Sequence, residues 1–210
     1  MSKEKRKSSK GAYACVKRFL DVFFALALLA FLWLPMLIIA VAVRADSPGK
    51  AIFRQIRVGR DGRLFVCYKF RTMYTSAPPC CPSSKFCDAH KYITPIGRFL
   101  RRASLDELPQ LFNVVKGDMS IVGPRPLIIA EFNVHKKRTQ NGVYILRPGI
   151  TGLSQICGRD RVTDERKIEL DTQYLNSFGF LQDVKIVGKT LGRVITGDGM
   201  QKSEKSKGGL

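Results

Sequence analysis

The chain has 210 residues, with 36 Lys or Arg against 17 Asp or Glu and a formal charge of +19. That length suits one domain with extensions, and that charge points to a polyanionic partner: nucleic acid, an anionic membrane surface or a phosphorylated substrate. No zinc-finger spacing, helix-turn-helix pattern or aromatic-studded RNA motif occurs, so no nucleic-acid partner is expected, and the six cysteines match no zinc site and follow no cleaved secretory signal, which makes them cytosolic thiols.

Residues 1–12 and 199–210 are rich in Lys, Ser and Gly without apolar period, and read as disordered tails able to touch anionic lipid. From Val22 to Val43 no residue is charged. As a helix such a run covers roughly 33 Å, enough for a hydrocarbon core of about 30 Å. Pro35 falls well inside it, and a break at Leu34-Pro35 leaves two pieces too short to span. The flanks are basic on both sides, for residues 1–75 hold 15 Lys or Arg against 4 Asp or Glu, and the positive-inside tendency keeps both ends cytoplasmic. These features predict a re-entrant membrane helix over 13–45 broken at Pro35, with a kinked span as the alternative. Asp21, at the edge of the run, is expected to pair with Lys17 or Arg18 one turn earlier.

Residues 51–58 and 63–73 read as two strands joined through Arg60-Asp61-Gly62-Arg63, a β-hairpin signal. In the second strand Phe65, Cys67, Lys69 and Arg71 share a face, so Lys69 and Arg71 either present cations to a bound phosphate or are solvated strand charges. Residues 74–93, with three prolines and three cysteines, form a long loop or lid. Cys80, Cys81 and Cys87 have only the isolated His90 to complete a tetrahedral metal set, at a spacing typical of no zinc site.

Adjacent Asp106 and Glu107 follow at the start of a helix, where Ser104 and Glu107 have the S-x-x-E form of a capping box. The helix begins at Leu105 or slightly later, depending on where Pro109 falls. The helix dipole and nearby Arg101 and Arg102 favour ionised carboxylates there, and either an anionic nucleophile or a plain cap is consistent with the pattern. Arg125 is held between two prolines in Gly123-Pro124-Arg125-Pro126, and Arg147-Pro148-Gly149 offers a second stiffly mounted cation; both suit phosphate. Residues 164–177 predict a polar helix. Residues 180–196 predict an amphipathic one, either in the membrane interface or packed on the core. The fold class is α/β and α-rich, with a small hairpin and amphipathic interfacial helices.

The blocks Lys69-Phe70-Arg71-Thr72-Met73, Ser104 to Leu111, Lys116 to Ser120, Val122 to Pro126 and Arg147 to Gly152 together resemble the bacterial sugar transferase family, the monotopic phosphoglycosyl transferases. The likeness runs over about residues 13–197, with a catalytic domain over 46–198 and a length like that of members consisting of that domain alone. It implies transfer of a sugar phosphate from a UDP-sugar to undecaprenyl phosphate at the cytoplasmic face of the bacterial inner membrane, with Mg2+ and release of UMP, as the first membrane step of surface glycan synthesis. By the same resemblance Asp106 is the nucleophile and is assigned to the metal. It forms a phosphosugar-aspartate intermediate, while Glu107 handles protons or positions the lipid phosphate. Arg101, Arg125 and Arg159 hold phosphate or nucleotide groups, together with Lys69, Arg71 and Arg147. The family commonly breaks its anchor at Ser-Pro where this chain has Leu34-Pro35. The donor sugar and the oligomeric state, a homodimer among the options, stay open.

Overall fold

The computed structural model describes residues 3–77, 89–158 and 162–196. Its first element, α1 (Lys3–Asp46), is one helix of 44 residues. It starts inside the stretch expected as a disordered tail, because Lys, Glu and Arg are good helix formers once an apolar helix behind them supplies the nucleus. The expected interruption at Leu34-Pro35 is also not seen: Pro35 lies inside a continuous helix. One proline removes one backbone hydrogen bond, and the bonds on either side keep the element helical.

The inward side of α1 returns every three or four residues, through Lys17, Asp21, Ala25, Leu29, Leu32, Met36, Ala40 and Val43, which is the period of one helix face. Ala25 meets Phe65, Leu111, Val114 and Met119, whereas Met36 and Val43 meet Phe70 and Leu100. Both halves of α1 therefore pack on the same body. On the opposite side Phe19, Phe23, Phe31, Trp33, Leu37, Ile38 and Val41 are exposed.

Strands β1 (Ile52–Val58) and β2 (Leu64–Phe70) pair antiparallel, with Val58 opposite Leu64 and Ile52 opposite Phe70. Asp61 and Gly62 both take positive φ in the connection, as a tight Asp-Gly turn requires. β2 ends three residues earlier than the alternation predicts. Beyond it Thr72 to Tyr74 meet Tyr92 to Thr94, which closes the base of the long loop.

Helices α2 (Pro95–Arg102) and α3 (Gln110–Lys116) flank the acidic pair. Thr94 Oγ1 caps α2 by accepting from Gly97 N at 3.0 Å. Asn113 of α3, fully buried, accepts from Tyr68 N at 3.1 Å and donates to Val66 O at 2.7 Å, fastening the free edge of β2. Arg18 reaches from α1 to the carbonyls of Val114 and Val115, placing a cation at the negative end of α3.

β3 (Ser120–Val122) and β4 (Gly149–Thr151) pair parallel, and this brings the two Gly-Pro blocks side by side. A Cβ on Gly149 would stand 2.1 Å from Gly123 N, so only glycine allows the approach. Helices α4 (Phe132–Gln140), α5 (Leu153–Ile156), α6 (Asp164–Asn176) and α7 (Phe180–Thr196) complete the domain, the last two as the sequence predicts. α7 turns Asp183 and Ile186 inward and leaves Phe180, Leu181, Val184, Leu191 and Val194 exposed.

Polar groups join α1 to this assembly. Lys17 Nζ lies 2.6 Å from Asp183 Oδ2 and 3.7 Å from Asp21 Oδ1, while Tyr13 and Tyr174 hydroxyls donate to Asp183, each at 2.7 Å. Asp21 accepts from Ser120 Oγ at 2.7 Å and from Ile121 N at 3.1 Å. Removing one partner of such a pair leaves the other charge buried. Asp183→Asn is expected to lower unfolding free energy by about 3 kcal/mol in detergent, and Lys17→Met added to it to recover part of the loss. A double variant no more stable than Asp183→Asn would show that Lys17 does not depend on that carboxylate.

Candidate functional site

Asp106 and Glu107 occupy a single 3-10 turn, Leu105–Glu107, between α2 and α3. The predicted capping box does not form. Ser104 takes a left-handed backbone with φ of 56°, and its side chain makes no cap hydrogen bond. α2 has just ended at Arg102, and a left-handed residue lets the chain reverse at once. Pro109, which has no N–H to satisfy, stands before α3 and moves the helix start to Gln110.

Glu107, no longer a cap, is buried and turns to the hairpin. Lys69 Nζ lies 2.7 Å from Glu107 Oε1, and Arg125 Nη1 stands 3.9 Å from the same oxygen. Three separate segments thus meet at one carboxylate: the end of β2, the 3-10 turn and the Pro124-Arg125-Pro126 stretch. The counter-charge comes from side chains rather than from a helix dipole, since a turn of three residues has almost none. Asp106, next in the turn, is half-buried.

A cavity of about 10 Å³ adjoins Glu107, lined by Arg57, Cys67, Lys69, Gln110, Arg125 and Gln155 among others. It has room for about one water, so a larger ligand would engage the pair from its rim. Arg57, Gln110 and Gln155 are members of the site that sequence reasoning passed over. The signal for Arg57 was present: closing the hairpin at Asp61-Gly62 sets Arg57 opposite Phe65, on the face of Cys67 and Lys69. Burial, reinforced by nearby Arg125, pulls the Arg57 guanidinium below its ordinary pKa. Gln155 carried no comparable signal, because its place depends on the β3–β4 pairing.

Other expected site residues lie elsewhere. Arg71, just past the end of β2, turns to α1 and donates to the carbonyls of Val43 at 3.0 Å, Ser47 at 2.7 Å and Pro48. It is a helix-end cation, and the strand alternation that grouped it with Lys69 no longer applies there. Arg147 diverges from Arg125 despite their adjacent motifs. Its Nε donates to Gly117 O at 3.0 Å, and burial with Arg18 and Arg60 nearby lowers its pKa. Arg101 donates from Nε to Thr72 Oγ1 at 2.8 Å on the flank of the acidic turn. Arg159, Cys80, Cys81 and Cys87 lie outside the described residues. A larger groove of about 600 Å³ lies along Val58, Asp61, His135, Thr139, Tyr144 and Ile145, but it contains neither carboxylate of the pair and no arginine.

The model of the bacterial sugar transferase family matches residues 12–197. The chain belongs to that family. It is 40% identical over 204 residues to the galactosyl transferase CpsE of Streptococcus agalactiae, covering 90% of this chain and 44% of that protein. It is also 40% identical over 192 residues to the UDP-glucose:undecaprenyl-phosphate glucose-1-phosphate transferase of Caulobacter vibrioides, covering 87% and 70%. An uncharacterized sugar transferase, EpsL of Bacillus subtilis, is 36% identical over 188 residues, covering 90% and 91%. This sugar transferase chain thus spans less than half the length of CpsE and nearly all of EpsL.

Cys67 tests whether the cavity beside Glu107 is closed. Burial raises the pKa of its thiol, and Lys69 and Arg57 only partly oppose the shift. At neutral pH an alkylating reagent is expected to modify exposed Cys157 and to leave Cys67 unmodified until denaturant is added, as peptide mass spectrometry would show. Equal labelling of both in the folded protein would mean an open cavity.

Proposed function

We propose that this chain transfers a sugar 1-phosphate from a UDP-sugar to undecaprenyl phosphate on the cytoplasmic face of the inner membrane, through a covalent intermediate on Asp106. The observation that carries this reading is the carboxylate pair with Lys69 2.7 Å and Arg125 3.9 Å from Glu107, in a chain of the sugar transferase family. The relatives' names include UDP-glucose and UDP-N-acetylgalactosamine transferases acting with undecaprenyl phosphate, which supports the donor and acceptor classes.

In the first displacement an Asp106 carboxylate oxygen bonds to the sugar-bearing phosphorus as the bond from that phosphorus to the bridging oxygen breaks, and UMP leaves. In the second, an oxygen of undecaprenyl phosphate bonds to the same phosphorus and the carboxylate departs, giving a diphosphate-linked lipid sugar. Cations are essential because negative charge approaches negative charge in both steps. Lys69 and Arg125 lower that repulsion and fix Glu107, which orients the incoming phosphate. The described residues contain no cluster of three metal-binding side chains. Asp106 would be the protein's ligand for Mg2+ beside the substrate phosphates, and the ion would supply neutralisation of phosphoryl charge.

The packing of α1 supports the proposed membrane arrangement. Both of its halves pack on one domain, so a path that carries its C-terminal half away across a bilayer would strip Met36 and Val43 from Phe70 and Leu100. Its exposed aromatic side and the exposed apolar side of α7 suit insertion into one leaflet from the cytoplasm, with basic flanks on anionic headgroups. Cysteines placed singly at positions 5 and 50, in a background lacking the native six, are expected to label from the same side of a sealed vesicle. Labelling from opposite sides would establish a span.

The chemical reading is tested by trapping. Enzyme incubated with a donor UDP-sugar alone is expected to gain the mass of one sugar phosphate at Asp106 and to release UMP. Asp106→Asn is expected to lose both, and Glu107→Gln to lose about 100-fold or more in turnover, the range of a positioned charge in phosphoryl transfer. UMP release by Asp106→Asn near the wild-type rate would refute the nucleophile. A panel of UDP-sugars in the same assay identifies the donor.

A further inference from the structure

The stretch that presents Arg125 to Glu107 is held in an unusual way. Pro124 and Pro126 have no N–H, so this stretch cannot be fastened through donors as a strand would be. It is held by its carbonyls instead. Gly149 N donates to Pro124 O at 2.9 Å, Arg138 Nη1 to Arg125 O at 2.9 Å, Arg57 Nη1 to Pro126 O at 2.9 Å, and Val58 N to Leu127 O at 3.0 Å. Four consecutive acceptors are thus fixed by four different positions of the chain. Two of the donors are arginine side chains arriving from β1 and α4.

Arg138 is the less expected of the two. It is 1% exposed, and Asp171, also 1% exposed, accepts from its Nε and Nη2 through Oδ2, while Ser154 Oγ donates to Asp171 Oδ1 at 3.1 Å. A buried ion pair is a poor way to gain stability, since well-packed apolar side chains of similar volume often do as well or better. What the pair supplies is direction: with Nε and Nη2 on Asp171, the guanidinium fork leaves Nη1 aimed at one carbonyl.

We propose that Arg138, with Arg57 beside it, is a positioning residue for the transfer reaction, setting the direction of the Arg125 side chain by holding the carbonyls of residues 125 and 126. Arg138 meets no substrate; it acts through Arg125. The proposal rests on the reading of the pair as a phosphoryl-transfer site, where a guanidinium displaced by an ångström loses much of its effect.

The test is a double-mutant cycle on UMP release, joined to amide hydrogen exchange. Arg138→Lys keeps the charge and loses the fork. It is expected to lower kcat/KM about tenfold, mainly through kcat, in otherwise wild-type enzyme and less than about twofold when Arg125 is already Gln. Arg57→Lys should behave alike, and decides the matter if Arg138→Lys does not fold. Equal factors in both backgrounds would overturn the proposal, because a structural staple acts whether or not Arg125 is present. Independently of turnover, either variant should speed exchange in the peptide covering 123–128 relative to that covering α3. Unchanged exchange there would equally overturn it. Wild-type enzyme that releases UMP from no UDP-sugar would instead refute the functional reading, with the exchange result still deciding whether the carbonyls are held by these arginines.

Discussion

Two charges on the inward face of an apolar helix, Lys17 and Asp21, set where the rest of the molecule can be. An ammonium and a carboxylate on a helix whose outward side is fully apolar cannot be left facing hydrocarbon, and each needs a fixed partner. Lys17 has Asp183 of α7, and Asp21 has Ser120 and Ile121 at the start of β3. β3 runs directly into Gly123-Pro124-Arg125, and its pairing with β4 fixes Gly149 against Gly123. The depth of α1 is thereby linked through one strand to the arginine that faces Glu107. The proposed transfer from a soluble donor to a membrane-held phosphate would use such a link, because its reacting groups would have to stay at one height.

The parts of the site that were legible in the sequence are those governed by local rules. Asp61-Gly62 sets the hairpin and the hairpin sets which residues share a face, although the partner that Lys69 meets there, Glu107, was not legible from the alternation. α6 and α7 follow from their periods. The misreadings occur where a local rule meets a tertiary demand. Ser104-x-x-Glu107 is a capping box by pattern, but an ammonium from β2 competes for Glu107, and a charge-assisted contact of 2.7 Å outweighs a cap worth about 1 kcal/mol. Arg71 continues the alternation of β2 on paper, yet the strand has ended and the carbonyls at the end of α1 are the nearest acceptors.

Neighbouring motifs in space need not serve one function. Gly123-Pro124-Arg125 and Arg147-Pro148-Gly149 look alike as sequence, and their glycines touch. In parallel strands the flanking residues leave the contact in opposite senses, so one arginine enters the acidic site and the other caps the turn after α3. The Arg-Pro spelling reflects the stiffness that both mounts require. Destination is decided by strand direction, which spacing alone does not carry.

The size of the cavity beside Glu107 bears on how the proposed two-step transfer would run at this site. Under the proposed transfer, a cavity of about 10 Å³ among the described residues would not take in the donor, and the phosphorus would be met at the rim where Asp106 stands half-buried. A shallow site is poor at excluding water by itself, and a phosphorylated carboxylate left open to water would hydrolyse. In the proposed arrangement the exposed apolar faces of α1 and α7 would hold that rim at the membrane surface, where the lipid acceptor's phosphate would compete with water by its high local concentration. On the proposed reading the bilayer would complete the site by delivering the acceptor phosphate laterally to that rim, and a deep pocket in the protein would be unnecessary.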